Sequence, residues 1–288
     1  MISSTANGKI KQVVTLRDKS RARNREGLFV AEGIKMFMEA PSDRLREVYC
    51  SEGFWKQVQS KDAGHAEIWE KLRCCGEKKI LVEQVSEEVF RYASDTQTPQ
   101  GILFVMEQMS YSLKEIVEKA AVREKEGGRI PMFLLLEDIQ DPGNLGTMIR
   151  TGEGAGVDGI IMSKGTVDIY NPKTIRATMG SLYRVPFVYV QELSEAIRLL
   201  QENHTTVYAA HLRGKQYFDE IAYEGGSAFL IGNEGKGLTA EVSEQADCYL
   251  KIPMEGKLES LNASVAAALL MYQAAGDGRK RNMNGQQK

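Results

Sequence analysis

The stretch from Phe229 to Ala275 constrains this chain more than any other. Phe229-Leu230-Ile231 is an apolar run that reads as a short buried strand. Gly232-Asn233-Glu234-Gly235-Lys236-Gly237 follows at once, with three glycines in six positions. Glycines let a backbone take positive φ or come close to a ligand. A second short run, Tyr249 to Met254, ends in Ile252-Pro253-Met254. Next comes Ser260-Leu261-Asn262-Ala263-Ser264-Val265-Ala266, which opens a segment helical by composition, with Ala263, Ala266, Ala267 and Leu270 on one face. Ser260 is placed to cap that helix, and a helix start offers free N–H groups. Taken singly, the turn reads as a plain tight turn and the helix as closely packed core. In this order, two loops at strand ends and one helix start converge on one small ligand.

The preceding region supports the same geometry. Met132 to Leu136 is a continuous apolar strand of the buried, parallel type. It runs into Glu137-Asp138-Ile139-Gln140-Asp141-Pro142-Gly143-Asn144-Leu145-Gly146-Thr147-Met148-Ile149-Arg150-Thr151. Asp-Pro-Gly makes a tight turn, Asn144 falls where a helix begins, and Arg150 lies nearly two turns later. On their own, Asn144 reads as a helix cap and Arg150 as a surface salt-bridge partner. Further strands are predicted at Gly159–Met162, Pro186–Val190 and Thr206–Ala210, with helices over Thr174–Met179 and Ser194–Asn203. Such alternation implies a parallel sheet with helices on both faces, and ligands in such folds sit beyond the strand C-termini. Ala209-Ala210 ends a strand and so belongs near the glycine loop.

The first hundred residues have a different texture. Lys9, Lys11, Arg17, Lys19, Arg21, Arg23 and Arg25 crowd one stretch against a single acid, Asp18. That run reads either as a solvated helix face or as a phosphate-contacting surface. Leu28-Phe29-Val30 predicts a strand, and Glu32-Gly33 starts a helix through Met38. From Leu45 to Val105 short strands and helices alternate: strands at Val48–Cys50 and Lys79–Val82, a helix over Phe54–Leu72, a helix capped by Ser86, and a closing strand after Thr98-Pro99-Gln100-Gly101. Trp55 and Trp69 read as core. Residues 107–130 are polar and read as a linker, helical around Leu113–Val122 with Gly127 and Gly128 as a hinge. The tail, residues 277–288, carries Arg279, Lys280 and Arg281 and reads as disordered.

Composition excludes several classes. Lys and Arg total 37 against 39 Asp and Glu, a net charge of −2, so no global field draws the chain to nucleic acid or membrane. RNA contact has to come from local patches. Cys50, Cys74, Cys75 and Cys248 have no metal-ligand spacing and read as reduced thiols in a cytosol. The N-terminus lacks the apolar core of a signal peptide, and no run is long enough for a membrane span.

The order strand, GNEGKG, strand, IPM, SLNAS resembles the SpoU (TrmH-type) branch of the knotted RNA methyltransferases. Ile231-Gly232-Asn233-Glu234-Gly235-x-Gly237 is similar to that family's second motif. Ile252-Pro253-Met254 with Ser260-Leu261-Asn262-x-Ser264-x-Ala266 is similar to the third, and residues 137–151 to the first. The resemblance covers residues 131–275 with specific motifs and 2–105 with a looser pattern, similar to a ribosomal-protein-like substrate-binding domain. It implies a small N-terminal α/β RNA-binding domain (1–106), a linker (107–130) and a C-terminal α/β/α methyltransferase domain (131–276) with a trefoil knot. Local reasoning alone rejects a knot.

The resemblance also implies the chemistry: transfer of a methyl group from S-adenosylmethionine to a ribose 2′-oxygen of structured RNA, rRNA preferred over tRNA. No metal is implied, and a cytoplasmic homodimer is. Gly232, Ile252 and Leu261 match the positions that surround the adenosine, with Met254 and Ala210 as weaker additions. Ala209-Ala210-His211 replaces a more usual hydroxyl-bearing residue. Asn144 and Asn262 would orient the ribose and Arg150. The family assigns hydroxyl activation to the Arg150 position, but guanidinium is a poor base. Arg150 is therefore expected to clamp the adjacent phosphate, with the proton leaving through Glu234 or water. Lys9, Lys11, Arg17, Arg21, Arg23 and Arg25 are the expected RNA contacts. The alternatives are a non-catalytic RNA-binding protein of the same fold and a nucleotide-dependent oxidoreductase or kinase. The first leaves the paired GNEGKG and SLNAS loops without a purpose. The second lacks both G-x-G-x-x-G after the first strand and G-x-x-x-x-G-K-[ST].

Overall fold

The computed structural model describes residues 1–60 and 64–285. Contacts group the chain into two compact units, Met1–Met109 with Asp168–Tyr183, and Ser110–Val167 with the chain from Arg184 onward.

The first unit begins with two basic helices, α1 (Gly8–Asp18) and α2 (Ser20–Glu26), then β1 (Leu28–Glu32) and α3 (Ile34–Glu39). After β2 (Leu45–Ser51), the span expected as one helix divides into α4 (Glu52–Gln59) and α5 (Ala66–Glu77). Ser60 closes the first of these, its Oγ donating to the Gln57 carbonyl at 2.6 Å. β3 (Leu81–Val85), α6 (Glu87–Ala93) and β4 (Ile102–Glu107) complete the run. Ser86 caps α6 as expected, its Oγ accepting from Val89 N. The sheet order is β1-β4-β2-β3, antiparallel except for the β2–β3 pair. Ile10, Val13 and Leu16 of α1 and Val89 and Phe90 of α6 are buried in one core with Tyr49, Leu103 and Val105 of the sheet. Trp55 and Trp69 are half-buried and pack edge to face.

The second unit opens with α7 (Leu113–Lys125), which falls inside the expected linker. Ser112 and Glu115 form a reciprocal capping box, and Ile116, Val117 and Ala120 are buried in the sheet core. Burying that apolar face makes the segment part of a domain, where its polarity had suggested a hinge. Then follow β5 (Met132–Leu136), α8 (Pro142–Ala155) and β6 (Gly159–Ser163). The chain next passes through α9 (Pro172–Thr178), whose contacts group it with the first unit. It returns for β7 (Phe187–Val190), α10 (Leu193–Glu202), β8 (Thr205–Ala210), β9 (Gln216–Tyr217), β10 (Gly226–Ile231), a short α11 (Ala240–Ser243), β11 (Cys248–Lys251) and α12 (Ala263–Gly285).

All seven strands are parallel, in the order β7-β6-β5-β10-β8-β11-β9. Leu193, Ala196, Ile197 and Leu200 of α10 join α7 over Phe133, Leu135, Ala228 and Leu230. Because side chains alternate along a strand, Leu134, Leu136, Phe229 and Ile231 point to the opposite face and are buried as well. On that side α12 packs against β10 and α8. The expected two-sided parallel sheet is therefore observed. α12 runs on through residues 277–285, where the sequence suggested a disordered tail. Gly276 and Gly278 each cost about 1 kcal/mol relative to alanine but do not forbid a helix, and no proline intervenes. Residues 286–288 lie outside the described residues. Among the described residues no helix is long and apolar enough to cross a membrane.

Candidate active site

β5, β10, β8 and β11 are consecutive neighbours in a parallel sheet, so the loops leaving them share one edge. The loops after β8, β10 and β11 surround a cleft of about 320 Å³, within the usual range for small-molecule sites. Ala210, Gly232, Ile252, Met254 and Leu261 all line it. These are the five positions expected around the cofactor, brought together from three loops. Glu234, His211, Lys236, Lys251 and Glu259 line it too.

The glycine loop after β10 is clipped shut by its own groups. Asn233 Oδ1 accepts from Gly235 N at 2.9 Å and Lys236 N at 3.0 Å, and Gly237 N donates to the Asn233 carbonyl at 2.9 Å. Gly237 has φ +70°, which favours glycine. Asn233 Nδ2 donates to the Asp138 carbonyl at 2.7 Å, tying the loop to the one after β5. Buried Glu137 accepts from Thr239 N and Oγ1, a second tie between the same loops.

Asn144 is not the helix cap that the sequence suggested. Asp141 caps α8, its Oδ1 accepting from Asn144 N at 2.8 Å, with Pro142 in the first turn. An acid directly before a proline at a helix start was a legible signal for this. Relieved of capping, the Asn144 amide reaches across the site. Its Nδ2 donates to Glu234 Oε1 at 3.0 Å, and its Oδ1 accepts from Asn262 Nδ2 at 3.0 Å. Asn262 replaces Ser260 as the group at the start of α12: its Oδ1 accepts from Ser264 N at 2.9 Å and Ser264 Oγ at 2.6 Å. The structure thus joins three of the four expected catalytic residues in one chain, Glu234–Asn144–Asn262. The amide orientations follow from backbone donors at both ends, Ser264 N at one and Gln140 N and Asp141 N, each 3.0 Å from Glu234, at the other.

Partial desolvation pushes the Glu234 carboxyl up, but donors from Asn144, Gln140 and Asp141 outweigh it and hold the group below the usual carboxylate range. Arg150, the fourth residue, lies on the exposed side of α8 and makes no hydrogen bond or ion pair with any described residue. The salt bridge that would have explained it structurally is missing.

The expected RNA contacts fare unevenly. Arg23 is 3% exposed and donates to Asp168 and to the carbonyls of Leu16 and Arg17. Arg17 donates to the carbonyls of Tyr92, Ala93 and Ser94 at the end of α6 and to Asp18. These two guanidiniums are engaged in contacts within the fold, which explains their place in the basic run without RNA. Lys9 pairs with Glu83 at 3.2 Å and Arg25 with Glu26 at 2.9 Å. Lys11 and Arg21 are exposed and unpaired among the described residues, as is neighbouring Lys19. Among the described residues no cluster of His, Cys, Asp and Glu could hold a metal ion.

The geometry agrees with comparisons to known proteins. Residues 131–272 match the SpoU rRNA Methylase family model, and residues 7–103 match the MRM3-like substrate binding domain. The chain is 34% identical over 275 residues, 96% of its length and 99% of the relative's, to a 23S rRNA (guanosine(2553)-2′-O)-methyltransferase, RlmP, of Bacillus subtilis (strain 168). Among solved structures, an rRNA methyltransferase from Sinorhizobium meliloti superposes with a TM-score of 0.77 at 27% identity, covering 95% of this chain and 96% of that one. The AdoMet-bound form of that enzyme gives 0.75 over the same coverage.

Proposed function

The chain belongs to the SpoU rRNA methylase family, and on that premise we propose how its residues divide the work. The protein is an RNA methyltransferase that carries a methyl group from S-adenosylmethionine to a ribose 2′-hydroxyl. Its substrate, on our reading, is ribosomal RNA, as for the Bacillus subtilis relative. One observation carries the assignment of roles: the five expected cofactor positions ring a single cleft beside the Glu234–Asn144–Asn262 chain.

Ala210, Gly232, Ile252, Met254 and Leu261 hold the cofactor, whose sulfonium supplies a methyl on a good leaving group. The enzyme's contribution is then mostly alignment of that methyl with the attacking oxygen. Arg150, unpaired among the described residues, offers a planar five-donor fork to the phosphate beside the reacting ribose. Asn144 and Asn262 each keep one amide N–H free of the chain that joins them, and these donors orient the ribose. Glu234 is a strut in this scheme. A carboxylate receiving three N–H groups and held below its usual range is already ionised at neutral pH and is a weak base there. Its stabilising contacts are present above the unfolded-state pKa and are lost only as pH falls through the depressed folded value. The hydroxyl proton goes to water.

Residues 1–106 are the proposed RNA-binding part and 131–276 the methyltransferase part, with the trefoil knot that the family implies. Lys11, Lys19 and Arg21 are the proposed phosphate contacts. Purified protein should methylate rRNA taken from a strain lacking its gene, at a 2′-oxygen located by mapping. Changing those three residues to alanine should raise KM for RNA and flatten the logarithmic salt dependence by roughly 0.7–0.9 per lost contact. Arg23→Ala should instead lower stability by about 2–3 kcal/mol, because its partners lose a charged donor. An unchanged salt slope in the triple variant would return these residues to a solvated face, and rRNA left unmethylated would overturn the substrate reading.

A cytoplasmic homodimer completes the proposal. Val265, Leu269 and Tyr272 form an exposed apolar stripe on α12, with exposures of 46%, 37% and 46%. A second copy is its proposed cover. Light scattering at micromolar concentration should report a dimer and Leu269→Glu a monomer. A wild-type monomer would sink the idea.

A further inference from the structure

His211 follows the last residue of β8 and lines the cleft, where the family resemblance led us to expect a hydroxyl-bearing residue. Everything about its placement is fixed by the protein itself. Its backbone N–H donates to the Leu250 carbonyl at 2.9 Å, pinning it to β11. Its carbonyl accepts from Gly214 N at 2.9 Å, closing a turn so tight that a Cβ on Gly214 would lie 2.7 Å from the Leu250 backbone. The imidazole stacks on Tyr249, centroids 5.0 Å apart and planes at 21°. Nδ1 accepts from Arg213 N at 3.0 Å, so the neutral ring carries its proton on Nε2. Nε2 has no partner among the described residues. The ring is therefore a donor of set position, plane and tautomer, held at the rim of the cleft before any ligand arrives. Such pre-organisation reduces the entropic cost of binding.

We propose that His211 contacts the cofactor, its Nε2–H donating to an oxygen acceptor of S-adenosylmethionine, either a ribose hydroxyl or the carboxylate. The inference rests on the reading of the cleft as the cofactor site. Titration calorimetry of the RNA-free protein tests it. His211→Ala should weaken S-adenosylmethionine binding about tenfold, the scale of one hydrogen bond. His211→Asn keeps an acceptor near Arg213 N but not the reach of Nε2, so it should bind as weakly as the alanine variant. His211→Gln places a donor near the Nε2 position and should recover part of the affinity.

5′-Methylthioadenosine separates the two acceptors. It lacks the carboxylate but keeps the ribose, so equal binding to wild type and His211→Ala identifies the carboxylate, and a matching tenfold loss identifies the ribose. Wild-type affinity in His211→Ala would overturn the contact. Wild-type affinity in His211→Asn alone would also overturn it, assigning the residue to the turn. If the wild type fails to bind S-adenosylmethionine, or Gly232→Val binds it normally, the cleft has been misread and the fault lies deeper than His211.

Discussion

Arg150→Ala should leave S-adenosylmethionine binding and thermal stability nearly unchanged while single-turnover methyl transfer falls by about two to four orders of magnitude. The split follows from placement. Arg150 sits on the exposed side of α8 with no partner among the described residues, so its loss breaks no contact of the fold. Surface substitutions of that kind change stability by about 0.5 kcal/mol or less. The cofactor cleft is lined from the loops after β8, β10 and β11, and Arg150 is not among its walls. Arg150→Lys should recover little, because a point charge does not reproduce a planar fork. Asn144→Ala should lie between wild type and Arg150→Ala, since it removes an orienting amide and one of the two donors to Glu234 Oε1, which keeps Asp141 N. Rates are to be measured at saturating cofactor and RNA, so that neither affinity enters. A normal single-turnover rate for Arg150→Ala would remove the residue from the chemistry.

The sequence made β5, β6, β8 and β10 legible because each is a short, mostly buried apolar run between turn residues, whereas β9 is two exposed residues with no such run and gave no signal. It made the cleft legible because the motif order places three loops at one sheet edge. What it left hidden depends on partners far along the chain. Asn144 and Asp141 are both good caps, and the choice between them is settled by Glu234, which takes up the Asn144 amide from 90 residues away. Ser260 and Asn262 posed the same ambiguity, settled by Asn144 across 118 residues. Arg23 looked like one more cation in a solvated run, yet its acid, Asp168, lies 145 residues on. Charge runs carry no mark of which member turns inward. Helix α7 is a different case: the Ser-x-x-Glu box and the spacing of Ile116, Val117 and Ala120 were visible locally, and the polar composition around them outweighed the signal.

Gly232→Ala should be nearly as damaging as Gly232→Val, and the near-equality is the informative part. A Cβ built on Gly232 falls 2.3 Å from the Gly237 carbonyl carbon and 2.3 Å from Leu238 N. Both are backbone atoms of the same loop, which have no rotamer to move aside. The collision is made by the first side-chain carbon, so added bulk contributes little more. Relief requires the two limbs of the loop to separate, and that disturbs the Asn233–Gly237 closure and the attachment of Glu234 to Gln140, Asp141 and Asn144. Affinity for S-adenosylmethionine should fall by on the order of 100-fold or more, corresponding to about 3 kcal/mol of strain or lost contact. The cofactor-free protein should also melt earlier than wild type, because the clash is internal. Had the glycine been needed only to admit a ligand, valine would exceed alanine by its size and the cofactor-free melting temperature would not move. Calorimetry and thermal unfolding on both variants separate these cases. A Gly232→Ala protein with wild-type melting and wild-type cofactor affinity would show that this loop can open without cost and that the cleft does not depend on it.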